Sequence, residues 1–521
     1  MNRASQINKL NSQEEFDIVI IGGGATGLGI AVDASTRGYK TLLVEALDFA
    51  KCTSSRSTKL AHGGVRYLAQ GDIAMVFEAL NERGLMVKNA GHLVSKQPFM
   101  IPNYSTVDSY YYSTGLKVYN WMSRSLSLGK TKLLNEDEAC KKIPTLKKTN
   151  LKSGVVYYDG QFDDSRFAIN LAQTAVENNA VVLNYFKVTK LLKNKNDKLN
   201  GVVIKDHFTN DETKVKAKVV VNATGIFIDS ILKLDDHLNQ PSIVHSQGVH
   251  LVVSSKFLPG KHALMIPKTK DGRVLFAVPW HGKVIIGTTD TQINEPVEEP
   301  RAFEHEIDFI INTFNEYMEI PISRNDVLSV FAGLRPLARP KGKKNSKEIS
   351  RGHKITISLS GLVTIAGGKW TTYRKIAEDT IDKIIRAHQL PDAECMTASL
   401  SIHGNPLKNG TSKKNPLSWY GEDLFAIMSL AESNKSLKQK IHPDYPFTLA
   451  QVAWAVQNEF AETVEDFLAR RVRLLFLDAQ AAIEAAPIVA QCMMEYKQES
   501  ESWKNSQIAQ FTLLANQYLI S

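Results

Sequence analysis

Phe16-Asp-Ile-Val-Ile-Ile21 runs directly into Gly22-Gly23-Gly24-Ala25-Thr26-Gly27, and a stretch of small residues to Arg37 follows before a second apolar run, Thr41 to Val44. An apolar strand, a glycine turn, a helix and another strand in this order form one α/β unit. The glycine spacing is G-x-G-x-x-G. The first glycine makes the turn, the second lets a pyrophosphate approach the backbone, and the third packs helix against strand. Glu45 ends the second strand eighteen residues past Gly27, where a carboxylate accepts hydrogen bonds from an adenosine ribose and disfavours a 2′-phosphate. The chain therefore begins as a dinucleotide-binding fold. The loop alone does not separate NAD from FAD.

The 521 residues exceed one such unit. From Leu183 to Val221 the pattern is β-rich and ends in an apolar strand before Ala223-Thr224-Gly225. Between Val249 and Thr291 alternating runs punctuated at Asp271-Gly272 and His281-Gly282 predict an antiparallel sheet. Arg335 to Lys354 carries eight basic residues and one acid, Glu348, and reads as a solvated loop. The α/β pattern then returns, with Ile376, Ile381, Ile384 and Ile385 at helical spacing, and the tail beyond residue 400 is predicted mostly helical. The apolar positions of Gln451 to Leu477 are read as a core face rather than a membrane face.

Lys and Arg outnumber Asp and Glu by 63 to 54, a surplus of +9 that favours anionic partners. Nucleic acid is set aside, because no aromatic-interleaved RNA motif, zinc-finger spacing or basic heptad helix occurs. Cys52, Cys140, Cys395 and Cys492 stand too far apart for a metal or redox pair and are expected to be reduced thiols. The first fifteen residues are polar, and the uncharged run Ile18 to Val32 is short for a spanning helix. A cytoplasmic chain, or one lying on a membrane without crossing it, is expected.

Three further segments, Ser57-Thr58-Lys59-Leu60-Ala61-His62-Gly63-Gly64-Val65-Arg66-Tyr67-Leu68, Ala332-Gly333-Leu334-Arg335-Pro336-Leu337 and Gly367-Gly368-Lys369-Trp370-Thr371-Thr372-Tyr373-Arg374, complete the pattern. In order and spacing they resemble the FAD-dependent glycerol-3-phosphate dehydrogenases, and Asp466-Phe467-Leu468-Ala469-Arg470-Arg471 is similar to that family's C-terminal domain. The resemblance covers nearly the whole chain and implies an α/β architecture of three parts. A Rossmann-like FAD-binding domain is expected over 1–85, 165–240 and 345–400, an antiparallel-sheet substrate domain over 86–164 and 241–344, and a C-terminal helical domain over 401–521. It implies non-covalent FAD held by Gly22, Gly24, Gly27, Glu45, Ser57, Lys59, His62, Gly63, Gly64, Ala223, Thr224, Gly225, Gly367, Gly368, Lys369 and Thr371. No metal is implied.

The same resemblance implies that glycerol 3-phosphate passes a hydride from C2 to flavin N5, and that electrons continue to membrane quinone. A phosphate monoester carries close to two negative charges near neutral pH, so the site needs cations. Arg66, Arg335, Arg351 and Lys369 are the candidates, with Tyr67 beside them. His250 lies where the family places an active-site histidine, and His250, Arg335, Arg351 and Lys369 form the expected catalytic set. Whether His250 or an arginine handles the hydroxyl proton stays open. So do O2 in place of quinone, a flavin-bound scaffold without catalysis, and a homodimer. Peripheral contact with anionic lipid on the inner face of the cell membrane is the expected location.

Overall fold

A computed structural model describes residues 1–65, 68, 71–270, 272–339, 352–406 and 417–520. Two sheets organise it. In the first, the strands Val363–Ala366, Glu212–Asn222, Phe16–Ile21, Thr41–Val44 and Val181–Leu183 lie side by side and parallel. Lys354–Ile357 adds an antiparallel edge. Ile18, Val19 and Ile20 are wholly buried, as a strand covered on both faces requires. The helices Ala25–Thr36, Asp164–Glu177 and Tyr373–His388 supply residues to the core on one side of these strands.

The second sheet has ten strands and is antiparallel except where Ala263–Ile266 runs parallel to Val94–Asn103. Its long members Ile243–Ser254 and Val327–Ala338 pair along nearly their whole length. His281 and Gly282, both with positive φ, make the two-residue turn between Leu275–Trp280 and Lys283–Gly287, the hairpin that the sequence announced. Leu60–Ala61, within the stretch expected to belong to the first domain, pairs instead with Ser153–Phe162 and edges the second sheet.

The tail beyond residue 417 is helical but shares its core with the second sheet. Val252, Trp280, Ile285 and Phe331 join the same apolar cluster as Phe467, Leu468, Val472 and Phe476. The Gln451 to Leu477 stripe is thus a core face. Buried charge fastens this tail to the first sheet. Asp48 accepts from Arg470 at 2.5 Å and from Arg471 at 2.7 and 2.9 Å, while Arg166 reaches Glu459 at 2.5 Å. Burial alone would raise the Asp48 pKa, but Arg471 and Arg470 hold it at about 2. Removing one partner of such a pair strands a charge, at a cost of roughly 3–5 kcal/mol.

Candidate active site

The glycine turn sits at the carboxyl end of Phe16–Ile21, where parallel sheets bind ligands. Gly22 has φ +111°, and a Cβ there would come within 2.7 Å of the Ala223 carbonyl oxygen. A Cβ on Gly27 would overlap the Gly22 carbonyl. Gly24 differs: a Cβ on it would meet only the Ser54 hydroxyl, at 3.1 Å, leaving a cradle open in front of the Ala25–Thr36 helix. The Glu45 carboxylate accepts from Gly23 N–H at 2.6 Å and Leu47 N–H at 2.9 Å, and burial raises its pKa. A carboxylate has about four acceptor positions, more than its backbone donors Gly23, Leu47 and Ala46 occupy. Ala223 donates its N–H to Ile21 O at 2.9 Å, which sets Ala223-Thr224-Gly225 beside the turn. Open cradle, helix terminus and a carboxylate at the end of the second strand fit a dinucleotide.

Ser54 joins this half to a cavity of about 340 Å3. Its hydroxyl accepts from Ala25 N–H at 2.9 Å, and its carbonyl accepts from the Trp370 indole N–H at 2.8 Å. Trp370 lines the cavity with Gly367, Gly368, Lys369 and Thr371, and Ser57, His62 and Gly64 line it too. His62 donates its backbone N–H to Thr371 Oγ1 at 3.2 Å, so two of the sequence motifs close on each other.

The second sheet supplies the polar floor. Arg335 stands opposite Ser246, and His250 stands opposite Phe331 on one neighbouring strand and Gly287 on the other. Arg335 donates to the carbonyls of Gln247 at 3.3 Å and Thr289 at 3.2 Å and to Thr288 Oγ1 at 3.1 Å. These acceptors orient the guanidinium, which also forms an ion pair with Asp290 at 3.9 Å, and Asp290 in turn takes a hydrogen bond from Ser246. Gly248 and Gly287 make room: a Cβ on either would strike Arg335 or the His250 ring. The imidazole stacks on Phe331 with centroids 4.9 Å apart, and its Nε2 lies 2.9 Å from Thr58 Oγ1. Burial, then Lys59 and Arg335, push the His250 pKa well below its ordinary value, so the ring is neutral near pH 7.

Of the predicted residues, Ser57, His62, Gly64, His250, Arg335, Gly367, Gly368, Lys369 and Thr371 surround one cavity, and Gly22, Gly24, Gly27, Glu45, Ala223, Thr224 and Gly225 gather at the nucleotide turn. Two are placed elsewhere. Lys59, expected beside the cofactor, is wholly buried away from the cavity, its ammonium 2.6 Å from both Asp164 and the Ser55 carbonyl and among the rings of Trp280, Phe331 and Phe476. Burial lowers its pKa to about 7 against the pull of Asp164. Gly63 also faces inward, donating to the Tyr119 hydroxyl at 2.7 Å. Arg66, Tyr67, Arg351 and most of the basic loop lie outside the described residues. The motifs missed Thr58 as a site residue, Thr288, Asp290 and Arg273, all on the cavity wall. Arg273 follows the Asp271-Gly272 turn signal, the one cue that could have found it.

A family model described as "FAD dependent oxidoreductase" matches residues 17–374, and one described as "C-terminal domain of alpha-glycerophosphate oxidase" matches 363–504. "Glycerol-3-phosphate dehydrogenase, mitochondrial" of Schizosaccharomyces pombe is 38% identical, over 95% of this chain and 86% of its own length. The chain belongs to the FAD-dependent glycerol-3-phosphate dehydrogenase family. The rat protein of the same name is also 38% identical, over 97% of this chain and 74% of its own. Among solved structures, glycerol-3-phosphate dehydrogenase from Bacillus halodurans complexed with FAD superposes with a TM-score of 0.81 at 30% identity, covering 99% of this chain and 97% of that one. L-α-glycerophosphate oxidase from Mycoplasma pneumoniae, at 17% identity and a TM-score of 0.56 over 74% of this chain and 98% of its own, shares the fold. The family uses FAD, and the open cradle at Gly24 with the adjoining cavity has the space and donors that fit such a group.

Proposed function

We propose that this chain oxidises glycerol 3-phosphate to dihydroxyacetone phosphate and delivers the electrons to a membrane quinone. The observation that carries the reading is the single cavity in which Arg335, Lys369 and His250 meet the loops Gly64 and Gly367 to Thr371. FAD, when bound, supplies the acceptor for the hydride leaving C2. The chain's own residues do the rest. Arg335, oriented by the carbonyls of Gln247 and Thr289, and Lys369 hold the phosphate, the first through a planar fork and the second as a point charge. The C2 hydroxyl passes its proton to Thr58 Oγ1 as the Thr58 hydroxyl proton moves to Nε2 of His250, which is kept neutral to receive it. The reading also assigns substrate binding to Arg66, Tyr67 and Arg351, which lie outside the described residues.

Among the described residues no helix is long and apolar enough to cross a membrane. The reading therefore places the chain as a peripheral protein, in contact with anionic lipid on the inner face of the cell membrane. The mitochondrial names of the eukaryotic relatives describe those proteins. Anaerobic addition of glycerol 3-phosphate to the purified holoprotein tests the chemistry: the flavin absorbance should bleach, and a quinone should restore it faster than air. Absence of bleaching overturns the substrate. Equally fast recovery in air replaces the dehydrogenase with an oxidase.

A further inference from the structure

Glu306 stands in the first turn of the helix Glu304–Asn315, where its carboxylate accepts from the Phe303 N–H at 3.1 Å and so caps its own helix. Glutamate is seldom fully buried unless it is paired. Glu306 is 1% exposed, and among the described residues it forms no ion pair. Its other three bonds leave the helix and come from neutral donors. Thr289 and Thr291 donate their hydroxyls to Oε1 at 2.7 and 2.6 Å, and Gln247 donates its side-chain N–H to Oε2 at 2.7 Å. Four donors thus meet the roughly four acceptor positions of a carboxylate.

Two of those donors lead to one guanidinium. The carbonyls of Gln247 and Thr289 are the backbone acceptors of Arg335, so Glu306 grips by their side chains the same two residues that orient Arg335 by their main chain. Thr291 stands opposite Gln247 on paired strands, and the carboxylate ties that pairing from the end. The Thr289 hydroxyl, its proton given to Glu306, accepts from the Val249 N–H at 3.0 Å, one residue before His250. Thr288, Thr289 and Asp290 line the cavity, whereas Glu306 does not. It meets that wall from behind.

Packing and helix capping do not call for a charge here. A glutamine of the same shape would offer its oxygen to Phe303 and Gln247, while the two threonine hydroxyls turned to accept from its amide. What the amide would lose is the charge-assisted grip, about twice as strong as a neutral bond, that fixes Thr289 as a donor. We propose that Glu306 is a positioning residue of the anion site, acting through Gln247 and Thr289 to hold the Arg335 fork at the angle that meets the substrate phosphate. The proposal rests on the reading of Arg335 as a phosphate-binding cation and adds the group that sets its aim.

The test is a double-mutant cycle on the holoprotein, with glycerol 3-phosphate as substrate, a soluble dye as acceptor and inorganic phosphate as competitive probe of the anion site. Glu306→Gln should raise KM and the phosphate inhibition constant together by roughly fivefold, with kcat changed less than about twofold. FAD content should be unchanged. In the Arg335→Ala background the same substitution should alter KM by less than about twofold, because the group it positions is gone. Thr289→Val, which removes one of the bonds and leaves the charge in place, should raise KM by roughly 2- to 12-fold, and Thr289→Ser should restore it. If Glu306→Gln yields no flavin-loaded protein, the Thr289 pair decides in its place. The proposal is overturned if Glu306→Gln lowers kcat and leaves KM alone, or if its effect is equally large with and without Arg335, as a role in fold stability alone would give. It is overturned too if Thr289→Val leaves KM unchanged. An Arg335→Ala protein with unaltered KM would remove the phosphate reading and this proposal with it. A KM that rises in Arg335→Ala but not in Glu306→Gln overturns the proposal alone.

Discussion

Thr58 Oγ1 lies 2.9 Å from His250 Nε2, while His250 Nδ1 is buried with no hydrogen-bond partner among the described residues. The ring is therefore oriented through one nitrogen, the one turned to a cavity residue. Positioned acid–base groups contribute roughly 10²- to 10⁴-fold, and His250→Ala should lower kcat by that order with FAD content unchanged. Thr58→Val removes the hydroxyl that relays the proton and should lower kcat by a similar order. Because the His250 pKa is depressed, its base form persists below about pH 6.5. The acid limb of kcat/KM should accordingly fall below that pH. A limb centred near or above neutrality would assign the proton to another group.

Arg335 tests the anion site. A hydrogen bond to a charged group is worth roughly 1.5–3 kcal/mol, so Arg335→Ala should lower kcat/KM about 10- to 150-fold. Arg335→Lys keeps the charge but cannot reach Thr288 and Thr289 with one planar fork. It should recover only part of the loss. Steady-state kinetics on both variants, with bound flavin measured alongside, decides the point; full activity in Arg335→Ala would remove Arg335 from the site.

Gly24 tests the cofactor cradle. Its open side means that Gly24→Val fills space intended for a pyrophosphate without striking the protein's own backbone. The expected product is folded, colourless protein with native-like circular dichroism. A yellow, fully loaded Gly24→Val protein would place the dinucleotide elsewhere.

What the sequence revealed follows from how local each signal is. Gly22 to Gly27 and Glu45 are read within one strand–helix–strand unit, whose geometry admits few alternatives. Arg335 and His250 sit on paired strands eighty-five residues apart in the chain, and only a resemblance linked them. Lys59 shows the opposite case. It lies inside a cofactor-like motif, yet the chain turns at its φ of +63° and sends the ammonium to Asp164, a partner 105 residues away that no local pattern indicates.

Lys59 thus carries a stability prediction. Lys59→Met takes the closest cation from the buried Asp164 carboxylate, which keeps Arg473 at 3.2 Å and the Ser57 hydroxyl at 2.7 Å, and should cost roughly 1–3 kcal/mol. Chemical denaturation of the holoprotein measures it. A change under about 1 kcal/mol would mean that the pair contributes little beyond what packing supplies.

His403 gives the fold a pH dependence of known sign. Its Nδ1 lies 2.5 Å from Glu177 at the end of the helix Asp164–Glu177, and its Nε2 lies 3.0 Å from Asp423 at the start of the helix Asp423–Ser433. Burial opposes the charged ring, but the hydrogen bonds to Asp423 and Glu177 prevail and raise its pKa to about 9. In the unfolded chain the ring titrates near 6.5, so the folded state binds the proton more tightly. The stabilisation is complete below about pH 6.5 and is lost as pH rises through about 9. Because Glu177 is more than half exposed, the contribution is discounted to about 1–3 kcal/mol. His403→Gln should therefore lower Tm most near pH 6 and hardly at all near pH 10, where the unaltered ring has lost its charge. Thermal unfolding of both proteins across that range is the measurement. A Tm gap that stays constant with pH would show that His403 acts by shape rather than charge.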